Sequence, residues 1–206
     1  MSERSESTAV IVLLAAGESR RYGGIKQLAD IDGEPMVRRV ARIALESGAR
    51  VVVVTGANAE KVSAVLADLP LLISHHGAWA EGMGSSLAAG IREVHRHFPL
   101  ATGALLCVAD QPLLKTSWYV RMLARHQQKP DRILATEQSG VTGPPVLFPQ
   151  DCFDELIHWS GNRGAQALLQ READRVELFT SEDNIDVDSP DDLKLVQSWL
   201  ASNRLA

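Results

Sequence analysis

Residues 10–16 read Val-Ile-Val-Leu-Leu-Ala-Ala, a run with no polar side chain at odd or even positions. A strand with one wet face alternates apolar and polar residues. A run of this kind is therefore read as buried on both faces, as in a parallel sheet covered by helices. It leads directly into Gly17-Glu-Ser-Arg-Arg-Tyr-Gly-Gly-Ile-Lys26, a loop holding three glycines and three cations. Small residues let backbone approach a ligand, successive N–H groups line an anion-binding concavity, and Arg20, Arg21 and Lys26 neutralise negative oxygens. The loop is built to hold phosphate, and the strand fixes where.

Two better-known phosphate loops do not match. A Walker loop needs Gly-Lys followed by Ser or Thr, whereas Lys26 lies between Ile25 and Gln27, leaving no hydroxyl in place for a metal. No Gly-x-Gly-x-x-Gly can be read from Gly17 onward either. The plain alternative is a strand-to-helix turn with solvated cations.

Val-, Ile- and Leu-rich runs recur at 50–55, 71–74, 104–109, 132–136, 145–148 and 175–179. Between them lie helical periods: Met36, Val37, Val40 and Ala44 after Pro35, Val62, Val65 and Leu66 after Asn58, and Leu87, Ile91, Val94 and Phe98 after Ser85. Strand alternating with helix predicts an α/β fold, a three-layer αβα sandwich with a mostly parallel, Rossmann-like sheet. Ligands in such sheets bind beyond the carboxyl ends of the strands. With 206 residues, 45% hydrophobic and 23% charged, and no composition break, residues 9–206 are expected to form one domain. Residues 1–8, polar and charged, read as a disordered tail.

A formal net charge of −5 argues against a nucleic-acid or membrane-surface binder. Cys107 and Cys152 are far apart and lack metal-ligand spacing. With no apolar leader or membrane-length run, the expected setting is a reducing cytoplasm.

The run at 104–109 is followed at once by Asp110-Gln111-Pro112. A carboxylate at the end of a buried strand needs a cation, a helix terminus or a metal. Thr116 is the better cap for the next helix, which leaves Asp110 as a candidate metal ligand. Residues 185–193 read Ile-Asp-Val-Asp-Ser-Pro-Asp-Asp-Leu. Ser189 can cap a helix with Pro190 at its first position, acids in its first turn, and Leu193, Val196 and Leu200 on its buried stripe. Asp186 and Asp188 lie outside that account. Alternation puts both on one face of an extended segment, and either can be the second carboxylate on a hard divalent cation, for which Mg²⁺ is the usual choice.

The stretch Trp79-Ala-Glu-Gly-Met-Gly-Ser-Ser-Leu87 is a glycine-rich turn opening an amphipathic helix, with Ser85 or Ser86 as cap or as ligand contact. Residues 140–148 and Gly161-Asn162-Arg163-Gly164 are further glycine-marked turns that can hold a second phosphate-bearing ligand. The six histidines show no convergence on a metal and read as structural or solvent-facing.

Taken together, Leu14–Lys26, Ala109–Pro112, Gly143–Phe148, Gly161–Ala165 and Asp186–Leu193 resemble the molybdopterin nucleotidyltransferases, their cytidylyltransferase branch most closely, over about residues 10–195. The resemblance implies a nucleotide-diphospho-sugar transferase-like fold. It also implies a Mg²⁺-dependent enzyme, with Mn²⁺ as an alternative metal, that transfers CMP from CTP to the phosphate of molybdopterin and releases pyrophosphate. By this likeness Leu14, Ala15, Ala16, Gly17, Ser19, Arg21, Gly23 and Lys26 hold the nucleotide, and Gly82, Met83, Gly84, Ser85 and Ser86 approach base and ribose. Lys26, Arg21 and Asp110 are the implied catalytic residues, and Asp110 and Asp188 the metal carboxylates. Gly143, Pro144, Gly161, Asn162, Arg163 and Gly164 are the implied acceptor contacts.

The implied partners are CTP or another nucleoside triphosphate, a molybdopterin-type acceptor, and a molybdenum hydroxylase apo-enzyme or its insertion chaperone, with no nucleic acid and no membrane. The chain departs from the family pattern at His76-Gly77, where Asn-Pro is common, and at Tyr22, where Met is common. Guanylyl-transferring members usually carry Gly where this chain has Ala16. A transferase using GTP or another phosphorylated acceptor, and a carrier delivering the cofactor without turnover, stand as alternatives.

Overall fold

The computed structural model describes residues 9–161, 165–180 and 185–203. The expected tail, residues 1–8, lies outside them. In chain order the elements are β1 Val10–Ala15, β2 Asp30–Ile31, β3 Glu34–Pro35, α1 Met36–Glu46, β4 Val51–Thr55, α2 Ala59–Ala64, β5 Leu72–His75 and α3 Met83–His97. They continue with β6 Gly103–Val108, α4 Thr116–Gln128, β7 Ile133–Gln138, β8 Val141–Pro149, α5 Phe153–Leu156, α6 Gln166–Arg171, β9 Val176–Thr180 and α7 Pro190–Asn203. A seven-stranded sheet has the order β5-β4-β1-β6-β8-β7-β9 and is parallel except for β8. The mostly parallel three-layer αβα architecture is the one that strand–helix alternation predicts.

β1 sits in the middle, paired with β4 and β6, and every one of its residues is buried. Val10, Val12 and Leu14 face a core shared with α3, α5 and α6, while Ile11, Leu13 and Ala15 face a second core shared with α1, α2 and α4. The missing polar parity thus reflects two apolar faces. Helix α3 crosses β1 so closely that a Cβ on Gly90 would lie 2.4 Å from Val12 Cγ1. Only glycine allows that approach without displacement.

Two hairpins are antiparallel: β2–β3, a separate two-stranded sheet, and β7–β8 within the main one. Asp32 and Gly33 (φ 58° and 81°) join β2 to β3, and Ser139 and Gly140 (φ 50° and 79°) join β7 to β8. Two consecutive positive φ angles give the turn whose twist suits an antiparallel pair. The β7–β8 register shifts between Ala135, opposite Val146, and Thr136, opposite Gly143, so Pro144 and Pro145 fall in a bulge. Prolines have no N–H to give a ladder, which suits them to that place.

A third apolar cluster joins α7 to the β2–β3 region, with Val196 and partly buried Trp199 against Ile31, Met36, Leu113 and Val187. Helix α7 starts as its residues predict, with Pro190 first. Its cap is reciprocal: Asp192 Oδ2 accepts from the N–H of Asp188 (3.1 Å) and from the N–H and hydroxyl of Ser189 (both 2.8 Å), and Ser189 Oγ accepts from Asp192 N–H (3.3 Å). Thr116, in contrast, does not cap α4: it is that helix's first residue, and its hydroxyl donates to Glu46 Oε2 at 2.9 Å. Among the described residues no helix is long and apolar enough to cross a membrane.

Candidate active site

Strands β4, β1 and β6 are parallel neighbours, so their carboxyl ends open at one edge of the sheet. Ala109 N–H donates to Leu14 O at 3.0 Å, which sets the loop after β1 beside Asp110. Val187 N–H donates to Asp110 O at 2.9 Å, bringing the segment before α7 to the same place. Three distant stretches of chain therefore meet.

At the meeting point Lys26 Nζ donates to Asp110 Oδ2 at 2.7 Å and to Asp188 Oδ1 at 3.0 Å, and Arg21 Nη2 lies 2.8 Å from Asp188 Oδ2. Burial alone would lower the Lys26 pKa. The charge and hydrogen bond of Asp110, then those of Asp188, outweigh it and hold the ammonium above the usual lysine value. The loop is braced from within: Gln27, almost fully buried, donates to Gly17 O at 2.7 Å and accepts from Ser19 Oγ at 3.0 Å.

Two cavities share this cluster. The first, about 490 Å³, is lined by Leu14, Ala15, Ala16, Gly17, Ser19, Arg21, Lys26, Gly82, Met83, Ser86, Asp110 and Asp188, together with Gln27 and Trp79. The second, about 340 Å³, adjoins it through Arg21, Met83, Val108, Asp110 and Asp188. Its walls are Leu106, Val146, Phe148 and Leu169, and its polar lining includes Gln111, Gln166 and Asp186, beside Gly143 and Pro144. Gln111, 4% exposed, donates through Nε2 to Asp186 Oδ1 (2.9 Å) and to Pro144 O (3.3 Å). Burial first, then the charges of Asp110 and Asp188, raise the Asp186 carboxyl above the usual range, against the hydrogen bond from Gln111. Asp186 and Asp188 thus share a face, as alternation predicts, but have different partners.

Several candidate residues sit elsewhere. Gly23, in the left-handed region at φ 74°, shapes the loop and lines neither cavity. Ser85 and Ser86 do not cap α3, which begins two residues earlier, at Met83, after Gly82. Ser85 is buried behind the cleft: its hydroxyl donates to Gly82 O (2.8 Å) and lies 3.0 Å from His76 Nε2. Gly84 packs on Ser160 and Gly161, donating its N–H to Gly161 O at 2.8 Å. Asn162, Arg163 and Gly164 lie outside the described residues.

Gln27, Gly56 and Gln111 have no role in the sequence reading, and His76 figures there only as a departure from the family pattern. Gly56 carried the only readable signal, a glycine at the end of a buried strand. A Cβ there would lie 2.5 Å from Ala16 O and 2.7 Å from Trp79 Cβ, both at the cleft.

Among the described residues no group of three or more His, Cys, Asp or Glu could hold a metal ion. Mg²⁺ is usually held by one or two carboxylates, with phosphate and water completing the shell. Asp110 and Asp188 fit that pattern. Asp110 Oδ1 is buried with no hydrogen-bond partner among the described residues, an orphaned acceptor of the kind a hard cation satisfies.

A glycine loop after the first strand of a mostly parallel sheet, with cations and carboxylates converging beside it, defines a nucleotide-transfer class of site. Residues 11–176 match the MobA-like NTP transferase domain, and the chain belongs to that family. It is 37% identical over 138 residues to nicotine blue oxidoreductase of Paenarthrobacter nicotinovorans, an alignment covering 66% of this chain and 65% of that protein, just under two thirds of its length. It is 24% identical over 183 residues to molybdenum cofactor cytidylyltransferase of Escherichia coli (strain K12), covering 88% of this chain and 91% of that protein.

Among solved structures it resembles Rv0371c of Mycobacterium tuberculosis H37Rv, with TM-score 0.81, 25% identity and coverage of 94% of this chain and 100% of the other. That protein has also been seen in complex with manganese, where the TM-score is 0.76 at 22% identity, over 93% of this chain and 99% of the other. The resemblance to the molybdopterin nucleotidyltransferases is therefore borne out at the level of family and fold.

Proposed function

We propose that this chain is a divalent-metal-dependent nucleotidyltransferase that moves CMP from CTP to the phosphate of a molybdopterin-type acceptor. One observation carries the reading: Lys26 and Arg21 of the glycine loop converge on Asp110 and Asp188 where the two cavities join. In this reading the triphosphate lies in the first cavity, against the loop and the start of α3, and the acceptor in the second. An oxygen of the acceptor phosphate forms a bond to the α-phosphorus, the bond from that phosphorus to the bridging oxygen breaks, and pyrophosphate departs with the electron pair.

The attacking group is already an anion, so no side chain needs to take a proton from it. The protein's part is in-line positioning and neutralisation of charge by Lys26 and Arg21. Asp110 and Asp188 would hold Mg²⁺ or Mn²⁺, which supplies Lewis-acid neutralisation of phosphate oxygens. The apolar walls Leu106, Val146 and Phe148 would take the body of the acceptor, with Gln111 and Asp186 meeting its polar edge. A molybdenum hydroxylase apo-enzyme is the proposed recipient of the product. The cytoplasm is the proposed setting.

The test offers each of the four nucleoside triphosphates with molybdopterin and Mg²⁺ or Mn²⁺ and reads pyrophosphate. CTP should release the most, and Ala16→Gly should relax the discrimination against GTP without reversing it. Binding of molybdopterin without pyrophosphate release would replace the enzyme by a carrier. The 37% identity to nicotine blue oxidoreductase favours a second reading, in which the cleft takes a redox nucleotide. Consumption of NADH or NADPH by the purified protein in the presence of an aromatic dye, with no pyrophosphate from any nucleotide, would establish that reading.

A further inference from the structure

The Lys26 ammonium is the cation of the Asp110–Asp188 pair, 2.7 and 3.0 Å from one oxygen of each. Its side chain is only 14% exposed, and the other oxygen of Asp188 is paired with Arg21. Each of these two carboxylates is thus matched by a cation. A divalent ion shared by the two carboxylates needs an oxygen of each; Asp110 Oδ1 has no partner among the described residues, but both oxygens of Asp188 are taken, Oδ1 by Lys26 and Oδ2 by Arg21. Metal ion and ammonium held by the same carboxylates also repel one another.

Lys26 is anchored through its backbone and, at its tip, by the two carboxylates. The residue opens a short 3₁₀ turn, Lys26–Leu28, and the neighbouring Gln27 is tied to Gly17 and Ser19. The base of the side chain is thus fixed while its tip borders the 490 Å³ cavity beside the glycine loop. A triphosphate in that cavity offers the ammonium new oxygens.

We propose that Lys26 and the divalent cation compete for the Asp110–Asp188 pair, so that the site rejects free metal and accepts metal together with a triphosphate that draws the ammonium away. This rests on the proposed function. Lys26 then sets which form of metal the site recognises, in addition to neutralising phosphate. Metal and triphosphate must help one another to bind, and by linkage the help is mutual.

The discriminating experiment measures binding of Mn²⁺ alone, without nucleotide, from the electron paramagnetic resonance of the free ion. The unaltered protein should bind Mn²⁺ weakly. Lys26→Met should bind it at least ~10-fold more tightly, within the usual range for coupled sites, although its turnover falls. Adding Asp110→Asn to Lys26→Met should abolish the gain. Unchanged or weaker Mn²⁺ binding by a Lys26→Met protein that circular dichroism shows to be folded overturns the proposal.

If that variant does not fold, crystals of the unaltered protein soaked in Mn²⁺ decide. Where the ion is held by both carboxylates, Lys26 Nζ must have left at least one of its two contacts, and an ion seated on Asp110 and Asp188 with both Lys26 contacts intact refutes the exclusion. Pyrophosphate release by the unaltered protein is read separately, so the exclusion can fail while the transferase reading stands.

Discussion

Gly56→Ala should damage nucleotide handling although Gly56 touches no proposed ligand. The added Cβ would meet Ala16 O at 2.5 Å, Trp79 Cβ at 2.7 Å and Ala16 Cβ at 2.8 Å, where ordinary contact begins near 3.4 Å. The shortfall is roughly 0.6–0.9 Å, and none of these atoms is the far end of a flexible side chain. Ala16 O also accepts the N–H of Ala57 at 3.1 Å, the bond that ties the glycine loop to the end of β4. Relief therefore means moving the loop.

Overpacking of this kind costs about 1–3 kcal/mol, a loss of roughly 2–12 °C in Tm for a chain of this size. A displacement near 1 Å in a positioned site costs up to ~10²-fold in rate. We therefore expect kcat/KM for the nucleotide to fall ~10–100-fold. The control is Gly17→Ala, whose Cβ would meet nothing within 4 Å. Its Tm should not change, so any loss of nucleotide affinity reads ligand approach directly. Differential scanning fluorimetry and pyrophosphate release against CTP concentration measure both variants. A Gly56→Ala protein with unaltered Tm and unaltered kcat/KM would show that the loop does not depend on this contact.

What could be read in advance follows from the range of each interaction. All seven strands of the main sheet are legible as apolar runs, most plainly at 10–16 and 104–109, where burial on two faces leaves no polar parity. The antiparallel direction of β8 and its first residues, 141–144, are not legible, although Ser139-Gly140 carries a hairpin signal; a glycine turn and two prolines read equally well as a loop. Lys26, Asp110 and Asp188 stand out singly, as charges at a strand end or outside a helix cap. Their meeting does not, because the pairs are 84 and 162 residues apart and only the strand order brings them together.

The same limit separates Asp186 from Asp188. Parity puts both on one face, but nothing local says that Gln111 takes the first and Lys26 the second. His76 fails for a third reason. Its partner Ser85 becomes available only because α3 starts at Met83, before the serines that look like caps.

Asp110→Asn preserves shape but removes charge from the centre of the cluster, and should cost at least ~10²-fold in turnover; a near-normal rate at saturating Mg²⁺ would make Asp110 structural. His76→Ala should raise the nucleotide KM about 2–10-fold, the worth of one hydrogen bond, with little change in kcat. Because Ser85 gives its proton to Gly82 O, the ring donates from Nε2, and His76→Gln should restore the value; equal defects in both variants would deny the bracing role.

His126 is 1% exposed, its Nε2 lies 3.0 Å from Thr102 Oγ1, and its Nδ1 is buried without a hydrogen-bond partner among the described residues. Burial lowers its pKa, so the folded protein keeps the ring neutral where the unfolded chain, with a pKa of about 6.5, takes up a proton. Below that value the unfolded state binds more protons, so stability rises with pH and is lost on acidification. Tm should fall between about pH 7 and pH 5, and His126→Gln should flatten the slope even if it lowers Tm throughout. An identical slope in the variant would assign the acid sensitivity to other groups, since only the difference between the two curves reports the proton that His126 refuses.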